Sequence, residues 1–148
     1  MAVKNSHVAR VLALQALYEL DCTTHPVEQV VSARLDENQI DAEQRILVYR
    51  LINGVIEHKS AIDQLIQQHA TEFPLEQVAI IDRNILRIAI YEFAIWRDTP
   101  MKVAFNEAVE LAKEFGSASA SRFVNGVLGA LSLAQESAIS DELEGSST

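Results

Sequence analysis

The sequence predicts an all-helical protein. Apolar residues recur at helical spacing from end to end, and no alternating polar and apolar run bounded by turn residues interrupts them. Only 5 Gly and 3 Pro punctuate 148 residues. The expected architecture is a compact bundle of about seven helices in two antiparallel helical subdomains, one before Pro74 and one after it.

Ser6 can cap a first helix whose core, Val8 to Leu20, is apolar on nearly every side and therefore belongs at the centre of the molecule. Pro26 opens a short second helix to about Leu35, followed by the polar connection Asp36 to Gln39. Asp41 caps a long helix through Arg45, Tyr49, Ile52 and Val55, and Ser60 with Asp63 is expected to start another carrying Ile62, Leu65, Ile66 and His69. After Phe73-Pro74 a short turn or helix spans Leu75 to Ile81, and Asp82 is placed as the cap of a strongly apolar helix ending near Trp96. Asp98-Thr99-Pro100 stops that helix and starts the next, which ends at Gly116, a residue suited to a left-handed position. Ser121 is read as the cap of a last helix with Phe123, Val127, Leu128 and Leu131. Residues 1–135 are thus read as one domain and 136–148 as an acidic, disordered tail.

A composition of 49% hydrophobic and 22% charged residues excludes a disordered acidic regulator. This length suffices to bury about 70% of the unfolded surface, so neither disulfide nor structural metal is required. The single cysteine, Cys22, has no intramolecular partner, and Met1 to Arg10 holds no apolar stretch resembling a signal peptide, which leads us to expect a cytoplasmic protein. The most apolar stretch, Val78 to Trp96, is interrupted by Asp82, Arg83, Arg87 and Glu92, so no membrane span is expected.

The net charge of −9 hides a polarity. Residues 1–18 carry +2 and residues 83–135 carry +1, whereas 19–82 carry −8 and 136–148 carry −4. An acidic body with basic patches near the N-terminus and in the last third suits two partners of opposite charge; plain solvation of those faces is the alternative.

Signs of catalysis are weak. His7, His25, His58 and His69 lack the spacing of a zinc helix or a di-iron bundle, so no metal or other cofactor is expected. Glu107, Glu110 and Glu114 share a helix face, but Lys113 sits amid them and a solvated surface is the simpler reading. Phosphate-binding glycine loops are absent. More informative are Gln15 and Tyr18, one turn apart on the apolar first helix, and Lys102, Lys113, Arg122, Phe123 and Asn125 around the last loop. An aromatic ring beside cations suits single-stranded RNA, although on the residues alone the simpler reading makes Phe123 a core anchor and Asn125 a polar residue inside a helix.

Four blocks then stand in register: Arg10-x-x-Ala13-x-Gln15-Ala16-Leu17-Tyr18; Asp82-Arg83-Asn84-Ile85-Leu86-Arg87-Ile88-Ala89-Ile90-Tyr91-Glu92; Pro100-x-Lys102-Val103-Ala104-x-Asn106-Glu107-Ala108-Val109-Glu110-Leu111-Ala112-Lys113-x-Phe115-Gly116; and Phe123-Val124-Asn125-Gly126-Val127-Leu128. Together they resemble the NusB transcription antitermination factor family across residues 7–131. The resemblance implies two antiparallel helical bundles and no enzymatic activity. It also implies a heterodimer with NusE, a small-subunit ribosomal protein, that binds the boxA element of nascent ribosomal RNA. Loaded onto elongating RNA polymerase with other Nus factors, that complex suppresses premature termination.

Carried over position by position, the resemblance implies an RNA surface of Lys4, His7, Arg10, Gln15, Tyr18, Lys113, Arg122, Phe123 and Asn125, with Asp82, Arg83 and Ser119 toward the protein partner, Asp82 and Arg83 opening a helix that lies near the RNA surface as well. In one respect the sequence departs from the family: Met1 to Arg10 supplies only Lys4 and Arg10 where many members carry an arginine-rich run, so RNA binding by the chain alone is expected to be weak. Two other classes remain open at this level, a NusB-like targeting domain of a ribosomal RNA methyltransferase and a helical adaptor that binds only protein.

Overall fold

A computed structural model of the chain describes residues 6–70 and 74–146, with side chains to residue 134. Six α-helices follow one another: α1 (Ser6–Cys22), α2 (Val27–Glu37), α3 (Ala42–His69), α4 (Ile80–Ile90), α5 (Met101–Phe115) and α6 (Ala120–Ser146). A 3₁₀ turn at Leu75–Gln77 precedes α4, and a π-helical turn, Tyr91–Trp96, prolongs it. The all-α class is as expected, and no strand occurs among the described residues.

The boundaries follow local chemistry in some places and depart from it in others. Pro26 and Pro100 precede α2 and α5 with φ of −64° and −57°, and the Asp41 carboxylate accepts the Gln44 backbone N–H at 2.8 Å to cap α3. Ser60, however, starts nothing: α3 runs unbroken for 28 residues, so the described residues hold six α-helices rather than about seven. An exposed serine costs a helix interior little, and the Asp63 carboxylate is occupied by the Arg87 guanidinium at 2.8 and 3.0 Å instead of capping a turn. Asp82 is not a cap either. Helix α4 starts with the Arg83 N–H bonding the Ala79 carbonyl at 3.0 Å, which leaves Asp82 inside the first turn and buried.

Gly116 is extended (φ −86°, ψ 177°), not left-handed; the left-handed residue is Arg97 (φ 63°), closing the π turn. Glycine fits position 116 for another reason: a Cβ there would lie 2.7 Å from the Ala112 carbonyl and collide with the Ala120 side chain. Helix α6 begins at Ala120, one residue before the expected cap Ser121, with the Phe123 N–H on the Ser119 carbonyl. Its backbone stays helical through Ser146, so the change in composition after residue 135 is not matched by a helix end.

Helices α1, α2 and α3 form one group and α4, α5 and α6 the other, with α1 and α3 both packed on α4. A single core runs through both, built from residues such as Leu14, Leu51, Ile52, Ile85, Leu86, Ile90, Leu111 and Leu128. Tyr91 lays its ring directly on Gly54 of α3, and the same ring stacks between His58 and Trp96 at centroid distances of 6.2 and 6.1 Å.

Two buried arginines fasten α1 to α4 and its π turn. Arg10 reaches Glu92, and Arg87 joins Asp21 of α1 at 2.8 Å to Asp63 of α3, with Asn84 also donating to Asp21 at 2.9 Å. Burial works against the Asp21 carboxylate, but Asn84, Arg87 and Lys59 outweigh it and hold its pKa below the usual range.

Candidate nucleic-acid interface

On α5, Asn106, Glu110 and Lys113 are three or four residues apart and so share a face; on α6, Ser121 and Asn125 are one turn apart. The two faces meet in a pocket of about 540 Å³ into which Lys113, Arg122 and Asn125 all open. Lys113 lies 3.6 Å from Glu110, but both side chains are 62% exposed, so this ion pair holds the ammonium only weakly.

A second groove, about 590 Å³, adjoins the first through Arg122, which lines both. Its walls are His69, the Gln77–Ala79 stretch and Asp82 on one side, and Ser117, Ser119, Phe123 and Gly126 on the other. Phe123 is half-buried, packed on the core while also lining the groove. Lys113, Arg122, Phe123, Asn125, Asp82 and Ser119 therefore form one continuous region.

The remaining expected residues lie elsewhere. Gln15 and Tyr18 are on the outer face of α1 with Val8, Val11 and Cys22; Tyr18 is exposed, and Gln15 is half-buried without a hydrogen bond to any described residue. Arg10 points inward: its Nε and Nη2 donate to Glu92 at 2.8 and 2.7 Å, its Nη1 donates to the Ser6 hydroxyl at 2.9 Å, and only 4% of the residue is exposed. A guanidinium so held fastens α1 to the π turn. Burial opposes its charge, yet the Glu92 hydrogen bonds prevail and raise its pKa further. Arg83 is half-buried and does not line the groove, and Lys4 lies outside the described residues.

His7 is spoken for as well. Its Nδ1 lies 2.9 Å from Glu107 and its Nε2 3.2 Å from Glu114, so these two carboxylates hold the imidazole at a part-exposed site while Glu114 and Glu110 remain largely in solvent. The Glu107 hydrogen bond chiefly, against partial burial, raises the His7 pKa above 6.5, with Glu114 adding to it. Glu92 and Glu107, partners of two expected RNA contacts, were not singled out as such by the sequence. The one local signal was Glu92 itself, a carboxylate in an otherwise apolar helix.

Among the described residues no helix is long and apolar enough to cross a membrane, and no group of three or more His, Cys, Asp or Glu residues is disposed to hold a metal ion.

This chain is similar to the transcription antitermination protein NusB of Dehalococcoides mccartyi strain CBDB1, with 49% identity over 126 residues that cover 85% of this chain and 88% of the relative. Its counterpart in Bacillus subtilis strain 168 is 42% identical over 120 residues, 81% of this chain and 88% of the relative. Among solved structures, T. maritima NusB superposes with a TM-score of 0.78 at 32% identity, covering 87% of this chain and 90% of that one. The fold is also that of a structure of antitermination factors NusB and NusE in complex with dsRNA, with a TM-score of 0.82, 24% identity, and coverage of 90% and 99%. The NusB family model matches residues 7–132, all four sequence blocks included, and the chain belongs to the NusB family.

Proposed function

We propose that this NusB-family antitermination factor acts as a heterodimer with NusE, a small-subunit ribosomal protein. The pair binds the boxA element of nascent ribosomal RNA in the cytoplasm. There it joins RNA polymerase and other Nus factors and suppresses premature termination. The role is one of recognition, without catalysis. The observation that carries this reading is the continuous region formed by Lys113, Arg122, Asn125 and Phe123 across two adjoining hollows, cations and an aromatic ring side by side on an otherwise acidic protein.

Within this reading Lys113 and Arg122 hold phosphates, Asn125 hydrogen-bonds and Phe123 stacks on a base, while Tyr18 and Gln15 extend the contact along α1. Lys4 adds charge at the N-terminus, and His7 and Arg10 act indirectly by fixing α1 against α5 and the π turn. Asp82, Arg83 and Ser119 border the partner protein, and residues 136–148 form a tail outside the domain.

Few cations face the RNA, and the single-strand salt slope gains only about −0.7 per phosphate contact, so the chain alone binds weakly and the basic partner supplies most of the charge. The test is a titration of boxA RNA and a scrambled control with this protein, with and without NusE, at two salt concentrations. Sequence-selective binding is expected only when NusE is present. Tight boxA binding by the isolated chain near physiological salt contradicts the division of charge, and absence of NusE binding overturns the function.

A further inference from the structure

A separate groove of about 360 Å³ leads away from the start of α1, between the start of α3 on one side and the π turn with the start of α5 on the other. It shares no lining residue with the two hollows at α5 and α6. Its apolar wall is Ile46, Trp96 and Val103, of which Ile46 is 67% and Val103 45% exposed. Large apolar side chains this open, gathered on one concave surface, mark a docking site. Trp96 ends the π turn beside the left-handed Arg97, and the Arg50 guanidinium lies over its ring at 5.0 Å. Backbone departures of this kind gather at functional sites.

The charges in the groove say what kind of occupant it suits. Arg10 and Glu92 are paired with each other, Arg50 is laid on Trp96, and Glu43 and Asp98 add two exposed carboxylates. A phosphate backbone meets like charge here, whereas an apolar segment next to a cation meets both a wall and a counter-charge. This chain carries such a segment at the groove's edge. Residues 1–5, outside the described residues, read Met-Ala-Val-Lys-Asn, three apolar residues and then a lysine. They join α1 at Ser6, which is itself part of the groove wall. Five extended residues reach at most about 17 Å, enough to cross a hollow of this size. Side chains alternate along an extended chain, so one that turns Val3 inward turns Lys4 outward.

We propose that residues 1–5 occupy this groove in the free protein: Val3 is seated against Ile46, Trp96 and Val103, and Lys4 turns toward Glu43. The seat stands independently of the RNA reading, and any phosphate contact by Lys4 has to compete with it.

The experiment uses the full chain with Cys22→Ser, a background without thiols. In it Val3→Cys is combined with Val103→Cys or, as a control, with Ile56→Cys, a similarly exposed site of α3 outside the groove. Under mild oxidation the intramolecular disulfide to position 103 is expected to form about tenfold faster than that to position 56, because a seated segment raises the local concentration at one site only. Equal rates overturn the proposal and leave the groove to another molecule; disulfide-linked dimers through position 103 overturn it in favour of a second copy. Trp96 is the single tryptophan, so its fluorescence reads the same seat without a cross-link. Val3→Asp in the otherwise native chain should make Trp96 more open to acrylamide quenching with helicity retained, and unchanged quenching overturns the proposal.

Discussion

Arg10 and Glu92 form a two-pronged ion pair, Nε to Oε2 at 2.8 Å and Nη2 to Oε1 at 2.7 Å, with their side chains 5% and 1% exposed. The pair joins the start of α1 to the π turn, and the Thr99 hydroxyl donates to Glu92 at 2.9 Å, drawing in the approach to α5. Polar partners of this quality offset the cost of burying both charges; removing one of them does not.

Arg10→Ala should therefore destabilise the fold by about 3–5 kcal/mol, leaving Glu92 buried and unpaired. The combined Arg10→Met and Glu92→Leu variant should recover most of that loss. Urea unfolding of the three proteins checks both statements, and a mild effect of Arg10→Ala accompanied by a large loss of RNA affinity would assign Arg10 to the transcript instead.

Helix propensity alone says that Gly54→Ala stabilises α3 by about 1 kcal/mol. The Tyr91 ring occupies the space that an alanine methyl needs. We expect the opposite sign, a loss of about 1–3 kcal/mol from overpacking, read as a lower thermal midpoint.

His7 makes part of the stability pH-dependent. Its folded-state pKa is raised, chiefly by the hydrogen bond to Glu107, so its contribution is complete below 6.5 and is lost as pH rises through the folded value. The difference in thermal midpoint between wild type and His7→Gln should be largest near about pH 5.5 and shrink toward about pH 8. A difference independent of pH would remove His7 from the α1–α5 junction.

Phe123→Ala should weaken the complex with NusE and boxA RNA by about 1–3 kcal/mol. Because the ring also touches the core, affinity is to be measured well below the thermal midpoint, with circular dichroism showing retained helicity. Tyr18→Asp, at an exposed position, should weaken the same assembly without a change in stability; unchanged assembly would take Tyr18 out of the interface.

The sequence was most legible where the physics is local. Asp41, Pro26 and Pro100 act on their own first turns, and they mark the starts of α3, α2 and α5. Ser60 and Asp82 carry the same chemical signature yet cap nothing, because Asp63 is engaged by Arg87 across 24 residues and α4 had already begun at Ile80. The candidate interface was half visible: Lys113, Arg122, Phe123 and Asn125 are close in sequence and remain close in space.

Helical class, the order of the elements and family membership could all be read from the chain, since 3.6-residue spacing and motif register are properties of neighbouring residues. Which charges face outward could not. Arg10 finds Glu92 82 positions away, and His7 finds Glu107 100 positions away, partners that no local pattern announces. Those pairings exist because burying α1 between the two helical groups removes its polar residues from water, and each must then take whichever opposite charge the packing brings within reach.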